Sequence, residues 1–269
     1  MLPLEDSYLD IIGKAQRGLK LSNPDLASGA GIELADLERL QAGETTDPAL
    51  LAKIAPVLHL GAKALTDAAA KAWQPDPVEV AGLQTFTTNF EDMTVNAYLV
   101  WEGNTAVAFD TGSDAGDMIA FAAAKGLTIS QILITHTHGD HIYDLDRLKE
   151  KTGAPAHVGD KEPTLDGAEP FTAGKVFHAG SLTIETRLTW GHAKGGITYF
   201  IKGLARPVAV VGDAVFAGSM GGGMVSYADA LRTNREEILT LPDDTVLCPG
   251  HGPLTTVAEQ KSHNPFFTA

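Results

Sequence analysis

The sequence predicts an α+β protein in which a small all-α helical domain, residues 1–76, precedes a larger mixed body, residues 77–269. Three observations predict it. The first 73 residues carry apolar side chains at helical spacing and no convincing strand. The run Gln74-Pro75-Asp76-Pro77 then breaks any helix and reads as a linker. From Val78 onward, short apolar segments alternate with turns and a few helical stretches, the pattern of sheets whose outer faces are packed by helices.

Within the head, Tyr8, Leu9 and Ile12 begin one apolar face, and Leu26, Ala27 and Ala30 continue on a second segment. After Gly31-Ile32, Leu34, Leu37 and Leu40 recur at three-residue spacing until Gly43. Asp47-Pro48 pairs an N-cap with proline at the first helical position and opens a fourth helix through Leu51, Ile54, Ala55 and Leu58. The Ala-rich stretch Ala62 to Trp73 predicts a fifth. In the body, strands are expected over Val95–Trp101, Thr105–Phe109, 129–134, Leu182–Leu188, Ile197–Ile201, Val208–Val211 and Thr245–Cys248. Glu102-Gly103-Asn104 is the hairpin turn between the first two. Helices are expected over Ala115–Lys125, His141–Lys151 and Tyr227–Thr240.

Composition narrows the functional classes. An apolar fraction of 44% and a mean hydropathy near zero fit an ordinary globular core. No apolar run approaches membrane-spanning length, and the acidic start Met1-Leu2-Pro3-Leu4-Glu5-Asp6 does not read as a signal peptide. With one cysteine, Cys248, no intramolecular disulfide can form, and these features together predict a cytoplasmic protein. A formal charge of −14 argues against nucleic acid as a principal partner.

The chemistry is concentrated in His136-Thr137-His138-Gly139-Asp140-His141, directly after the apolar run ending at Ile134. Hydrophobic patterning gives no reason to place three imidazoles and a carboxylate at the end of a core strand. A metal site does, because imidazole nitrogen and carboxylate oxygen suit zinc, iron and manganese. Further donors follow singly, each beside a strand end and a glycine: His192 after Gly191, Asp213 after Gly212, His251 between Gly250 and Gly252. Taken alone, each has an ordinary reading as a surface His or an N-cap Asp. The ordered set carries the inference.

That set, HxHxDH followed by His, Asp and His, closely resembles the metallo-β-lactamase fold superfamily over residues 78–269. The resemblance implies a four-layer αβ/βα sandwich with two divalent metal ions at its edge, zinc foremost and iron or manganese also acceptable. It implies His136, His138 and His192 for one ion and Asp140, His141 and His251 for the other, with Asp213 bridging. Asp110, in Phe109-Asp110-Thr111-Gly112, matches the strand-end Asp that supports such a site from outside. The head resembles a Cro/repressor-like helix-turn-helix unit, with Pro24–Gly29 and Leu34–Ala42 paired around Gly31. Its recognition helix would carry Glu33, Asp36 and Glu38 against Arg39 alone, and residues 1–76 hold 7 basic and 11 acidic side chains. A structural or dimerising role, giving a homo-oligomer, is therefore expected in place of DNA binding.

The occupant of the bridge selects the branch. The best-known zinc β-lactamases place a cysteine where Asp213 stands, and flavodiiron proteins place an acidic residue where His138 stands, so both activities are set aside. An Asp bridge is similar to the hydroxyacylglutathione hydrolases (glyoxalase II-like) and the acyl-homoserine lactonases. The implied reaction is attack by a metal-bridging hydroxide on the carbonyl of a thioester or related ester, with a small-molecule acyl substrate and Asp140 as a catalytic as well as a ligating group. Three alternatives stand beside it: a lactonase, a mononuclear iron oxidoreductase of the persulfide dioxygenase type, and a metal-sensing DNA-binding regulator. Ser219, Gly222 and Tyr227 are the expected substrate contacts. The lysine and tyrosine that hold glutathione in glyoxalase II are replaced here by Gly221-Gly222-Gly223-Met224, which reads as a flexible loop beside the cleft. His157 and His178 are expected to be non-ligands, His263 to anchor the C-terminal segment by hydrogen bonds, and Cys248 to be a buried strand residue.

Overall fold

A computed structural model describes residues 2–269. Five helices open the chain: α1 (Tyr8–Leu19), α2 (Asn23–Ala30), α3 (Leu34–Gln41), α4 (Pro48–Val57) and α5 (Ala62–Ala69). Their starts follow local chemistry. Ser7 forms a capping box with Asp10, Ser22 accepts from the Asp25 amide, and Asp47 accepts from Ala49 ahead of the proline at the first helical position. The expected fifth helix stops short of Trp73, where Lys71 takes a left-handed backbone conformation (φ 51°). The apolar faces of these helices meet Met220, Tyr227, Ala230 and Phe266 of the body in one hydrophobic cluster.

The body follows in the order β1 (Leu83–Phe90), β2 (Met93–Glu102), β3 (Thr105–Phe109), α6 (Gly116–Lys125), β4 (Thr128–Leu133), α7 (Gly139–Ile142), α8 (Leu145–Thr152), β5 (Ala156–Gly159) and β6 (Ala168–Phe171). The second half runs β7 (Val176–Ala179), β8 (Leu182–Leu188), β9 (Ile197–Lys202), β10 (Val208–Gly212), α9 (Tyr227–Thr233), β11 (Val246–Pro249), β12 (Thr255–Thr256) and α10 (Val257–His263). Two six-stranded sheets result, β1-β2-β3-β4-β5-β6 and β12-β11-β10-β9-β8-β7.

Side-chain alternation builds the layers. Tyr98, Val100, Val107 and Phe109 point between the sheets, where they meet Ile184, Tyr199, Val208, Val210, Val246 and Cys248. The intervening Ala97, Leu99, Ala106 and Ala108 face outward beneath Met118, Ala122, Leu145 and Leu148 of α6 and α8. Ala209, Val211 and Leu247 cover the opposite outer face with Ile238 and Val257. The architecture is the expected α+β sandwich, helices outside two facing sheets. Cys248 is a fully buried thiol in its central layer, and burial pushes its pKa up.

Two helices depart from expectation. The stretch His141–Lys151 divides into α7 and α8, because Asp144 bonds outward: its carboxylate accepts from Ala115 N–H and Arg147, and its own N–H donates to Thr111 Oγ1. The stretch Tyr227–Thr240 is α-helical only to Thr233, then widens into a π-turn over Asn234–Ile238, where the buried Asn234 amide donates to Ala214 O. Among the described residues, no helix is long and apolar enough to cross a membrane.

What matters for the site is strand direction. In the first sheet β3 and β4 run parallel, and in the second β10 and β11 do. Carboxyl ends of parallel strands open a crevice at one sheet edge. The edges are stitched together there: Asn96 Nδ2 donates to Pro249 O (3.1 Å) and Gly252 O (2.8 Å), and Tyr98 Oη donates to Pro249 O (2.5 Å). Tyr199 Oη donates to Ile134 O (2.7 Å) from the other side.

Candidate metal centre

Every expected donor follows a strand end at this edge. His136 and His138 lie just beyond β4, Asp140 and His141 on the short α7, His192 between β8 and β9, Asp213 one residue past β10, and His251 two residues past β11. They form two groups, His136, His138, His192 and Asp213 in one and Asp140, His141 and His251 in the other, with the donor atoms of each within 4.8 Å of one another.

Asp213 joins the groups. Its Oδ2 lies 3.4 Å from His192 Nε2, 3.4 Å from His251 Nε2 and 3.9 Å from His136 Nε2, and its Oδ1 lies 3.2 Å from His141 Nε2. In the first group, His138 Nδ1 stands 3.0 Å from the Nε2 atoms of both His136 and His192. Ring nitrogens converging this closely have lone pairs directed at a shared point. His141 Nε2 and Asp213 Oδ1 are buried and have no hydrogen-bond partner, which is costly unless a cation takes that place. The donor set fits two divalent ions.

Outer contacts aim four of the imidazoles. His141 Nδ1 donates to Asp110 Oδ2 (2.8 Å), His192 Nδ1 to Gly222 O (2.9 Å) and His251 Nδ1 to Thr94 O (2.6 Å). Thr135 Oγ1 donates to Asp110 Oδ2 (2.7 Å), so its lone pair accepts from His136 Nδ1 (3.1 Å). Each of these contacts leaves Nε2 free to face inward. Asp110 is buried, accepts from Thr135 N–H as well, and adopts a left-handed backbone (φ 56°), a strained position held by these bonds.

Two glycines are required by close approach. A Cβ at Gly250 would strike Asp213 Oδ1 and the His141 ring, and one at Gly221 would strike Asp213 O. The Gly221–Gly223 stretch is therefore packed against the site: Gly221 N–H donates to Asp213 O, and Gly222 O holds His192.

Electrostatics divides the groups. Burial drives the His136 pKa well below its ordinary value and lowers that of His192. Burial also opposes charge on His141 and His251, but Asp213, with Asp110 or Asp140, outweighs it and pushes them up to about 10 and about 11. Burial works against ionisation of Asp213 too, yet His141 and His251 hold its carboxyl well below the carboxylate range.

His138, Asp140, His192, Asp213 and His251 open into a cleft of about 360 Å³, also lined by Glu5, Lys14, Phe90, Glu91, Met93, Phe216, Gly222 and Met224. Of the three expected substrate contacts only Gly222 lines it. Ser219 is buried and its hydroxyl donates to Asp6, because the chain after Asp213 turns back against the head. Tyr227 packs in the hydrophobic cluster beside Phe266, against Gly18 of α1. His157 lies on β5 next to Glu169, His178 is exposed, and neither joins the donor groups. His263 stacks on Trp73, with ring centroids 4.9 Å apart, in place of the expected hydrogen bonds.

Several contributing residues carry no motif. Glu162 Oε2 accepts from Thr137 N–H (2.9 Å) and Thr137 Oγ1 (2.6 Å), and its Oε1 accepts from Gly195 N–H (2.5 Å). It thereby clamps the loop of His136 and His138 to that of His192. Thr135 alone had a signal, its place directly before His136.

The family model of the Metallo-beta-lactamase superfamily matches residues 91–251. The chain is 30% identical over 196 residues to the probable metallo-hydrolase YqgX of Bacillus subtilis, covering 64% of this chain and 91% of that protein. It is 31% identical over 142 residues to a hydroxyacylglutathione hydrolase of a Methylobacterium species, covering 51% of this chain and 54% of that one. Among solved structures it resembles the B3 metallo-beta-lactamase BLEG-1, with a TM-score of 0.59 and 29% identity over 70% of this chain and 100% of the other.

Proposed function

This chain belongs to the metallo-β-lactamase superfamily, and on that premise we propose that it is a dinuclear metal-dependent hydrolase of thioesters or related esters, with zinc as its metal. The observation that carries the reading is the position of Asp213, one carboxylate within 3.9 Å of four imidazoles drawn from both donor groups. A bound pair of divalent ions supplies Lewis acidity and a water of lowered pKa.

The chain's own residues do the rest. Asp140 lines the cleft, and its Oδ2 lies 3.3 Å from His251 Nε2 and 3.4 Å from His141 Nε2. Burial raises its pKa, but the neighbouring His251 and the charge of His141 bring it below the ordinary value. As an ionised acceptor it would orient the attacking water and take its proton. Phe90, Met93, Phe216 and Met224 give the cleft an apolar lining suited to an acyl group. The head serves the cleft and not DNA: Arg39, the one cation of α3, is engaged by Asp36 (3.5 Å) and Glu44 (3.9 Å). The protein acts on small molecules in the cytoplasm, and the head is also the surface through which copies would associate.

The test is elemental analysis of the purified protein beside a panel of thioesters, lactones and one β-lactam. Two ions per chain with turnover of a thioester or ester is expected, and Asp213→Ala should lower both metal content and turnover. Two retained ions and full turnover in that variant would overturn the assignment. One iron per chain with oxygen consumption would transfer the protein to the dioxygenase reading.

A further inference from the structure

The head enters the metal cleft, and it does so with charge. Glu5 and Lys14 line the cleft although both lie far outside the family match at 91–251. Lys14, on α1, is committed elsewhere: it pairs with Asp6 and donates to Met220 O (2.9 Å). Asp6 in turn accepts from Ser219 Oγ. This Ser219–Asp6–Lys14–Met220 chain fastens the N-terminal segment to the stretch after Asp213. Glu5 is different. It is half-buried and, among the described residues, makes no hydrogen bond or ion pair. It rests against the loop that carries His251, where a Cβ on Gly252 would lie 3.2 Å from Glu5 N and 3.5 Å from its Cβ.

We propose that Glu5 is a specificity-determining residue, a carboxylate in the cleft wall that selects substrates whose acyl chain carries no anionic group. This rests on the hydrolase reading above and deepens it. The ionisable groups that line the cleft, the metal donors apart, are Glu5, Glu91 and Lys14. Lys14 is balanced by Asp6, so among the described residues no lining cation is left to receive a substrate carboxylate. Two divalent ions would bring four positive charges. Asp140 and Asp213 offset two, and Glu5 and Glu91 offset the others, leaving the cleft without the positive excess that draws in anions. Glu5 lies against the His251 loop, whereas Glu91 sits exposed in the β1–β2 turn, so Glu5 has the greater hold on the reacting region.

The experiment compares two thioesters of one thiol with the metal-loaded protein, their six-carbon acyl chains ending in a carboxylate or in its carboxamide. The wild type is expected to favour the carboxamide about tenfold in kcat/KM. Glu5→Gln should bring the ratio toward one, and added salt should narrow it in the wild type. An unchanged ratio in Glu5→Gln, or a wild type that favours the carboxylate, overturns the inference. Thioether analogues of the same pair, which contain no scissile ester, give an independent reading by calorimetric binding. If neither thioester is cleaved but Glu5→Gln abolishes a thioether preference for the carboxamide, the hydrolase reading fails and the charge filter stands. If the thioesters are cleaved and neither ratio responds to Glu5, the filter fails and the hydrolase reading stands.

Discussion

Glu162 shows how a residue outside the donor set can control it. Three hydrogen bonds converge on its carboxylate from two loops, so losing it frees Thr137 on one side and Gly195 on the other. Glu162→Ala is expected to weaken metal binding at the His136, His138 and His192 group by 10- to 100-fold, the scale on which outer contacts tune a metal site. The Asp140, His141 and His251 group should be spared, because its imidazoles are held by Asp110 and by Thr94 O. Competition with a chromophoric chelator would resolve the two affinities. Equal weakening of both groups would mean that the clamp acts through the whole fold. Nothing in the sequence marks Glu162, since bonds accepted from two distant backbone amides and one hydroxyl leave no spacing to read.

At the scale of elements, the helical head and the C-terminal segment share one core. Phe266 is fully buried there with Leu51, Leu58 and Tyr227, and Gly61 N–H donates to Pro265 O (2.8 Å). Phe266→Ala should cost about 3–5 kcal/mol, as a large aromatic lost from a packed core does. Denaturant unfolding would measure it, and a cost under about 1 kcal/mol would show that the head is not anchored through this residue. The strands β2, β3, β4, β8, β9, β10 and β11 were legible as continuous or alternating apolar runs, and the five head helices from apolar spacing, the Asp47-Pro48 cap and the Ala-rich stretch after Ala62. Strands β5, β6, β7 and β12 are two to four residues long, too short for a period to emerge. β1, Leu83–Phe90, escaped because its threonines and asparagine give no apolar alternation, and its pairing with β2 makes it a strand. Tyr227 was misplaced for the opposite reason: its distance along the chain from Asp213 is short, but α9 turns it into the core.

For the molecule as a whole, the metal-free protein should have a characteristic pH dependence. His141 and His251 have folded pKa values of about 10 and about 11 against an ordinary 6.5. Their contribution is therefore complete below 6.5 and is lost as pH rises through 10 to 11. His136 and His192 are shifted downward and act in the other direction, so their effect is to penalise the folded state as pH falls below 6.5. The Tm of the chelated protein should peak near pH 6.5 and decline toward pH 10. A rising Tm across that interval would contradict the pairing of these imidazoles with Asp213.

The donor residues belong to opposite ends of a long stretch of chain, His136 after β4 and His251 after β11. During synthesis, the first three imidazoles and Asp140 leave the ribosome well before Asp213, and His251 comes later still. A partly made chain thus offers at most an open-sided nest of ligands, and only completion of β10 and β11 closes it. Capture of two ions would thereby be a late event in the life of the polypeptide, and a loaded centre would report that both sheets have already met.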